Sequence, residues 1–428
     1  LGVNVFLKIV WPRIALSSTE LLVIYSMSWI VGTVSASGWT TYWGGIVSSP
    51  GYYASPENRW EELLFDVIPW WCLPQNSPGV IRTFYEGLPD SINIPWSGWV
   101  LSLYWWFTFS LALVVAGFSI CILFQKQWEE AERLTFPLVI FPVTLTEGFD
   151  ETSRIPEIFR NRIFWTGFGV VFLVFAWNIL GYFFMDLPPI SVFDGYLTKE
   201  VKIARLFPPI YLRILPPVVG LTYLCNLDIL LSFWVFRLFA IFKEGILGRI
   251  GFAVGYAGQQ AEVGEILLLE SHGAMMFIVI WSFWTARSHL RWLYNKVWKN
   301  NCIEDDEGPN LYRFALLGLG ISTLYVLGCF IGLGLSLWLA VLQLGLMYVA
   351  YFTIAKYTAA SGFSYLFPVG GKGSAILQSL LGNAGLTRRH FVALGLINSS
   401  AFFGNSRIPA WPALPHHLKL FSSLIVNR

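Results

Sequence analysis

The stretch "SGWVLSLYWWFTFSLALVVAGFSICILF", Ser97 to Phe124, contains no charged side chain. A helix needs about 20 mainly apolar residues to cross the hydrocarbon core of a bilayer, so this stretch is long enough to cross it once. Over the whole chain, 55% of the 428 residues are hydrophobic and 13% are charged, whereas soluble domains carry about 25% charged residues. So little charge could not cover the surface of a soluble protein of this size, and we therefore predict an integral membrane protein.

Further apolar runs predict that the chain crosses the membrane repeatedly. The runs are Leu21–Val47, Ile163–Phe184, Pro216–Phe242, Gly273–Ala286, Phe314–Ala355 and the weaker Phe391–Phe403. Phe314–Ala355 is long enough for two crossings joined near Gly332–Gly334. We predict a single all-α transmembrane domain over residues 1–428, a polytopic helical bundle of about nine to eleven membrane segments. Because the chain begins at Leu1 and not at Met, we expect further residues beyond both ends.

Two loops differ in charge and predict opposite sides of the membrane. Residues 51–96 hold six acidic and two basic residues, which is typical of a non-cytoplasmic loop. Within it, Ser55 and Pro56 predict a helix start, and the apolar spacing over residues 60–71 predicts an amphipathic helix along the interface. The loop 287–311 is predicted to be cytoplasmic because basic residues open it. These are Arg287, Arg291, Lys296 and Lys299.

The two loop assignments require an odd number of crossings between them. The strong apolar runs from Ser97 to Ala286 provide four, so a weaker segment must also cross or one assignment is wrong. Two segments are open for this role, Leu134–Phe149 and Gly245–Ile266. The first is favoured because it follows a charged helical stretch, "QKQWEEAER", in which Glu129 and Arg133 are spaced to pair.

Prolines and glycines interrupt several apolar segments. The predicted break positions are Pro137, Pro142, Pro208, Pro217, Pro368 and Gly370. They indicate either re-entrant half-helices around a shared site or ordinary loops before helices that start with Pro. The small residues of "GTVSASG" (32–38) leave the same choice between a broken helix and a tilted, closely packed one.

Ionisable groups in apolar runs are the predicted functional residues, because burying each in lipid costs about 2.5–3.5 kcal/mol. Asp228 in "LCNLDILLSFW" is the leading coupling carboxylate, with Asn226 beside it. Its alternative is a helix entry near the headgroups. Glu270 and His272 form a possible proton relay or a polar helix start. Asn178 is predicted to make a polar contact inside the bundle.

Several reaction classes lack their sequence signatures. The chain has no HExxH, GxSxG or Walker motif, so we predict no enzyme. Its cysteines and histidines are scattered without metal-ligand spacing, so we predict no metal and no cofactor. With a net charge of +2 and no basic stripe, nucleic acid is not an expected partner. The expected partners are membrane lipids and, in an assembly, further copies or other membrane subunits.

Several phrases resemble a known family. "STELLVIYSM", "ASPENRWEELL", "QWEEAERLTFPLVIFPVTL", "LDILLSFWVF" and "YRFALLGLGISTLYVLG" stand in its order. The chain resembles an uncharacterised family of large bacterial polytopic inner-membrane proteins, which is distantly similar to the oligopeptide transporter superfamily. That resemblance implies a proton-coupled carrier in the bacterial inner membrane with broken helices and an Asp at position 228. The chain departs from the family at Ala359–Gly362, "AASG", where the family has an acidic residue.

These observations predict a secondary, proton-coupled transporter of a small organic solute or peptide. The alternative is a non-transporting structural or scaffold subunit of a larger membrane assembly, with its aromatic faces buried against other chains. A third reading, a pigment- or cofactor-holding subunit with His272 or His390 as ligand, has no motif to support it.

Overall fold

The computed structural model describes most of the chain. The described residues are 1–35, 39–75, 79–90, 93–149, 155–184, 186–188, 190, 199–212, 215–253, 263–298, 309–363, 374–399 and 413–426. Within them, seventeen α-helices and one two-stranded hairpin account for the regular structure. The predicted all-α class is therefore confirmed.

The long helices follow the apolar runs of the sequence. The helices are α1 (Gly2–Val10), α2 (Ser18–Ser35), α3 (Trp39–Tyr53), α4 (Trp60–Leu63), α5 (Arg82–Glu86), α6 (Val100–Lys126), α7 (Pro137–Thr146), α8 (Arg162–Phe183), α9 (Pro216–Tyr223), α10 (Leu227–Arg249), α11 (Val263–Thr285), α12 (Arg287–Trp298), α13 (Pro309–Leu333), α14 (Leu337–Ser361), α15 (Ser374–Gly385), α16 (Arg388–Ser399) and α17 (Leu414–Val426). Strands β1 (Lys199–Val201) and β2 (Ile210–Leu212) pair antiparallel between α8 and α9.

In the described part of the chain, five helices are long and apolar enough to cross a membrane. They are α6 with the turn that follows it, α8, α11, α13 and α14. Two shorter apolar helices, in α2 and α7, add to them. The chain is therefore an integral membrane protein of the helical type, while the total of about nine to eleven membrane segments stays a prediction.

The core forms where α6, α13 and α14 pack together. Trp106, Phe109 and Leu113 of α6 are buried, as are Phe330 of α13 and Met347 of α14. Phe109 and Phe330 meet with their ring centroids 5.9 Å apart. The predicted turn near Gly332–Gly334 joins α13 to α14. In contrast, α8 buries none of its residues in the described structure, as expected of a helix that lipid surrounds.

The loop 51–96 contains less helix than predicted. The expected amphipathic helix over residues 60–71 is a single turn, α4. The Ser55 hydroxyl accepts a hydrogen bond from the Asn58 amide, 3.4 Å, and the helix begins only at Trp60. Because Trp71 packs against Trp105 of α6, with centroids 4.5 Å apart, apolar residues of this segment turn toward the bundle instead of forming a continuous interfacial face. The prediction was wrong in this respect.

The first part of the loop 287–311 forms an amphipathic helix, α12. Lys296 and Lys126 both lie over the Trp292 ring, 4.8 and 4.7 Å from its centroid. The His289 imidazole contacts the Leu123 carbonyl at 2.8 Å, and burial lowers the pKa of this histidine. The basic loop is thereby fixed to the C-terminal half of α6. Residues 299–308 lie outside the described part of the chain.

The predicted Pro216–Phe242 span is divided into α9 and α10 by a break at residues 224–226. Phe207, which precedes α9, packs on Gly245 and meets Phe242 with ring centroids 6.1 Å apart. Gly245 lies about 27 Å along α10 from Leu227, at about 1.5 Å per residue. Phe207 and Leu227, the two ends of this return segment, therefore lie at opposite ends of α10, separated by nearly the thickness of a hydrocarbon core, about 30 Å.

This return segment is a further candidate for the crossing that the loop charges require. Neither weak segment proposed for that role is a full-length helix. Leu134–Phe149 contains only the ten-residue α7, about 15 Å long. Gly245–Ile266 is shared between the end of α10 and the start of α11, and residues 254–262 lie outside the described structure. Which of these segments crosses the membrane stays a prediction.

Candidate functional site: a buried charged junction

The C-terminal end of α6 does not stop cleanly but changes its helical form. Residues Gln127–Ala131 form one π-helical turn, a feature that is frequent at functional sites. After it, Arg133 and Phe136 both adopt positive φ, 52° and 45°. Left-handed backbone at such bulky residues costs about 1–3 kcal/mol each and requires support from the surroundings.

The support comes from the C-terminal end of α14. The Phe136 amide donates to the Ala359 carbonyl at 2.9 Å, and the Thr135 hydroxyl donates to the Ala360 carbonyl at 2.8 Å. Pro137 then starts α7 in the first turn, where a backbone N–H would have no partner within the helix, so the N–H that proline lacks is not needed. The phrase "ERLTFP" thus holds α6, α7 and α14 together at one end of the bundle.

An ion pair joins the same helices. Glu132 Oε2 lies 2.7 Å from Lys356 Nζ of α14, and the two side chains are 18% and 16% exposed. Lys356 also donates to the Ser282 hydroxyl of α11 at 2.7 Å. Lys356 lies within an otherwise apolar part of α14, so its charge depends on Glu132 for compensation.

A second ion pair connects the π-turn to α17. Lys419 Nζ lies 2.9 Å from Glu129 Oε2, and the amide of Gln125 donates to Glu129 Oε1 at 2.9 Å. The predicted pairing of Glu129 with Arg133 was therefore wrong, because the π-turn and the left-handed Arg133 end the regular i,i+4 spacing. We call Glu129, Glu132, Lys356 and Lys419 the charged junction.

Two buried histidines of α17 lie beside the junction. His417 Nδ1 is 2.7 Å from the Ser26 hydroxyl of α2, and its ring meets Trp29 edge-on at 4.8 Å. His416 packs against Phe136, with centroids 5.7 Å apart. Burial lowers the pKa of His416 to about 3 and that of His417 to about 4. Both imidazoles are thus neutral near pH 7.

Several polar atoms of this region are buried and have no hydrogen-bond partner among the described residues. They are Glu132 Oε1, Trp128 Nε1, His417 Nε2 and both ring nitrogens of His416. Most buried polar groups in proteins are paired, so a cluster of exceptions requires an explanation. The arrangement can hold a proton on a carboxylate and present N–H donors and ammonium groups to a further ligand.

The predicted coupling carboxylate does not lie in the junction. Asp228 is exposed in the first turn of α10, where a carboxylate is favoured by the helix dipole. The Asn226 side chain caps this helix by accepting from the Asp228 amide at 3.1 Å. This is the helix-entry arrangement that the sequence left open. A coupling role for the two residues stays a prediction.

The other predicted polar residues are also separate from one another. Glu270 forms an ion pair with Lys243 of α10 and is exposed, whereas His272 is buried. Since residues two positions apart point to different sides of a helix, the two do not form the expected relay pair. The Asn178 side chain binds the backbone N–H and C=O of Ile190, both at 2.8 Å. It therefore orders the chain after α8 and does not join two helices.

The predicted break positions have different structural roles. Pro137 starts α7 and Pro142 lies inside it. Pro208 lies in the hairpin between β1 and β2, and Pro217 in the first turn of α9. Pro368 and Gly370 lie outside the described residues. Among the break positions in the described residues, Pro137 starts the helix that follows the charged junction.

A family model described as "family of unknown function (DUF6785)" matches residues 1–427. The chain belongs to that family. No curated protein and no solved structure matches the chain significantly, so a likeness to oligopeptide transporters is not shown.

In this DUF6785 protein, one sequence signal could have revealed the junction. Lys356 is a lone charge in an apolar run, "VLQLGLMYVAYFTIAKYTAA", and the cost argument applied to Asp228 applies to it equally. Its partner could not be derived, because Glu132 is more than two hundred residues away in the sequence. The histidines gave no signal, since their burial depends on α17 docking against α2 and α7.

Proposed function

We propose that this DUF6785 protein is a proton-coupled secondary transporter of a small organic solute or peptide in the bacterial inner membrane. The observation that carries the proposal is the Glu132–Lys356 ion pair, largely buried where broken helices meet. A charged pair inside a membrane bundle is costly and is typical of proton and substrate pathways.

The physical basis is competition for one carboxylate. Glu132 can be compensated by the Lys356 ammonium or by a proton, and the proton would remove the ionic partner of Lys356 on the segment that follows α6. The π-turn and the strained Phe136 backbone lie at the same contact. A change of partner there would alter how α6, α7 and α14 pack, which is the kind of two-state element that alternating access needs.

The test is solute-driven proton movement in proteoliposomes. The full chain would be reconstituted around a pH-sensitive dye, and amino acids, short peptides and hydroxy acids would be added outside. We expect acidification of the lumen with at least one solute class, and loss of this signal in Glu132→Gln. The matched control is Glu130→Gln, because Glu130 is an exposed acid two residues away. No signal with any solute, in folded protein, would contradict transport.

A second function is supported by α8. Its 22 residues include none that is buried, and Phe168 stacks on Phe172 with centroids 5.9 Å apart on the exposed surface. A structural subunit would cover this surface with another chain. A structural subunit predicts no solute-driven proton movement. It also predicts that the double variant Phe168→Leu and Phe172→Leu has a smaller oligomeric mass. If lipid covers α8 instead, the oligomeric mass should not change, because lipid tolerates Leu as well as Phe.

A further inference from the structure

We infer that the cargo of the charged junction is a small organic anion bearing one carboxylate, bound together with one proton. The inference rests on the proposed function and assigns its substrate class. It begins with the charges: two carboxylates and two ammonium groups pair one to one, Glu132 with Lys356 and Glu129 with Lys419. The junction is electrically balanced as it stands.

Loading a proton disturbs this balance. When Glu132 takes up a proton from water, its carboxylate becomes neutral and the Lys356 ammonium loses its counter-charge. Lys356 is only 16% exposed, and a buried charge without a partner is strongly unfavourable. An anion that enters with the proton replaces the lost charge. A cation or a neutral solute does not.

The unpartnered atoms around the pair suit an anion with oxygen acceptors. Trp128 Nε1 can only donate, and each neutral imidazole of His416 and His417 carries one N–H. Among the described residues, Trp128 Nε1 and both ring nitrogens of His416 have no hydrogen-bond partner, so each of these two side chains offers one N–H without an acceptor. A carboxylate has two oxygens that accept several such bonds in addition to an ammonium. These donors are what distinguishes the junction from a purely structural ion-pair cluster.

The neighbouring side chains favour an organic anion over an inorganic one. Trp128 packs against Phe124 and Phe352, and His416 lies between Phe136 and Trp29. Aromatic walls bind an apolar tail while the charged end is held by the ammonium.

The charged and titratable groups near Glu132 come from three elements. They are Glu129, Glu130 and Arg133 on its own segment, Lys356 on α14, and His416, His417 and Lys419 on α17. In the proposed cycle only Glu132 changes its protonation. The bound state therefore carries the same net charge as the empty state, and transport is electroneutral.

The decisive experiment is calorimetric binding of 3-phenyllactate to the purified full-length protein. The neutral amide of the same acid serves as the control ligand. Titration in buffers of different ionisation enthalpy counts the protons taken up, and we expect one per phenyllactate bound. Binding without proton uptake, or equal binding of the neutral amide, would overturn the inference. This measurement needs no variant.

Variants add a second, independent readout. Glu132→Gln mimics the protonated carboxylate, so it should bind phenyllactate at least tenfold more tightly than the native protein and without proton uptake. Lys356→Met should bind it at least tenfold more weakly, and Glu130→Gln should match the native protein. Unchanged affinity in Glu132→Gln would count against the anion site.

The outcomes separate this inference from the proposed function. If peptides or amines drive proton movement in proteoliposomes while phenyllactate does not bind, transport stands and the anion assignment falls. If phenyllactate binds with one proton but no solute drives proton movement, the anion site stands and transport falls.

Discussion

Phe207 lies directly on Gly245, so closely that a Cβ at that position of α10 would clash with the Phe207 ring unless the ring moved. The two residues are separated by the whole of α9 and most of α10. Their contact determines the path of the chain, because it brings the segment before α9 to the far end of α10. Arg249 lies over the same Phe207 ring, 5.4 Å from its centroid.

This contact predicts the sidedness of two positions. Lys202→Cys and Ile250→Cys, each in a background without native cysteines, should react with a membrane-impermeant maleimide from the same side of the membrane. Both side chains are exposed. A single span over Pro216–Phe242 would place them on opposite sides. Labelling from opposite sides would therefore disprove the return segment, and Leu227→Cys should label from the side opposite to both.

The Glu132–Lys356 pair predicts strong energetic coupling. Glu132→Gln and Lys356→Met should each lower the free energy of unfolding by about 3 kcal/mol, because each leaves a buried charge uncompensated. The double variant should lose less stability than the sum of the two single losses. Thermal unfolding in detergent measures the stability of all three variants. The exposed Arg59–Glu62 pair is the control: its side chains are 65% and 64% exposed, and Glu62→Gln should cost below about 1 kcal/mol. Additive losses at Glu132 and Lys356 would show that the pair is not coupled.

The end of α14 predicts opposite effects for two Gly→Ala substitutions. Gly362 has φ +74°, and a Cβ there would lie 3.1 Å from Pro137 Cβ, so Gly362→Ala should destabilise the protein by about 1–2 kcal/mol. Gly345 in the same helix has no neighbour within 4 Å of an added Cβ, and Gly345→Ala should stabilise it by about 0.5–1 kcal/mol. Melting temperatures that shift in the same direction in both variants would contradict this account of the contact between the end of α14 and the start of α7.

Cys72 should be chemically inert in the folded protein. Its thiol donates to the Pro69 carbonyl at 3.1 Å, and burial raises the pKa of Cys72 to about 12. The thiolate is the reactive form, and at pH 8 only about one Cys72 thiol in ten thousand is ionised at any moment, so its reaction with maleimide is slow. A variant retaining Cys72 alone should resist maleimide until SDS unfolds it, whereas Glu57→Cys in the same loop, without Cys72, should label at once. Equal labelling rates would show that Cys72 is accessible.

Local pattern was sufficient for part of the structure. The uncharged run Ser97–Phe124 predicted α6 because a long apolar segment in lipid can satisfy its backbone only as a helix. The turn between α13 and α14 was predicted from Gly332–Gly334. Gly334 adopts a left-handed φ of +114° there, which glycine permits. In contrast, the break at residues 224–226 was left open, because Asp228 in "LTYLCNLDIL" could lie inside one long span or at the start of a helix.

The amino-acid sequence by itself determined that this protein is helical and lies in a membrane, because composition and the length of apolar runs decide how a chain partitions into lipid. Only the tertiary structure decided which charges meet. Glu132 and Lys356, and Glu129 and Lys419, are joined by the docking of α14 and α17 against α6. The energy of a buried ion pair depends on a distance of a few ångströms between residues far apart in the chain, and no local pattern encodes that distance.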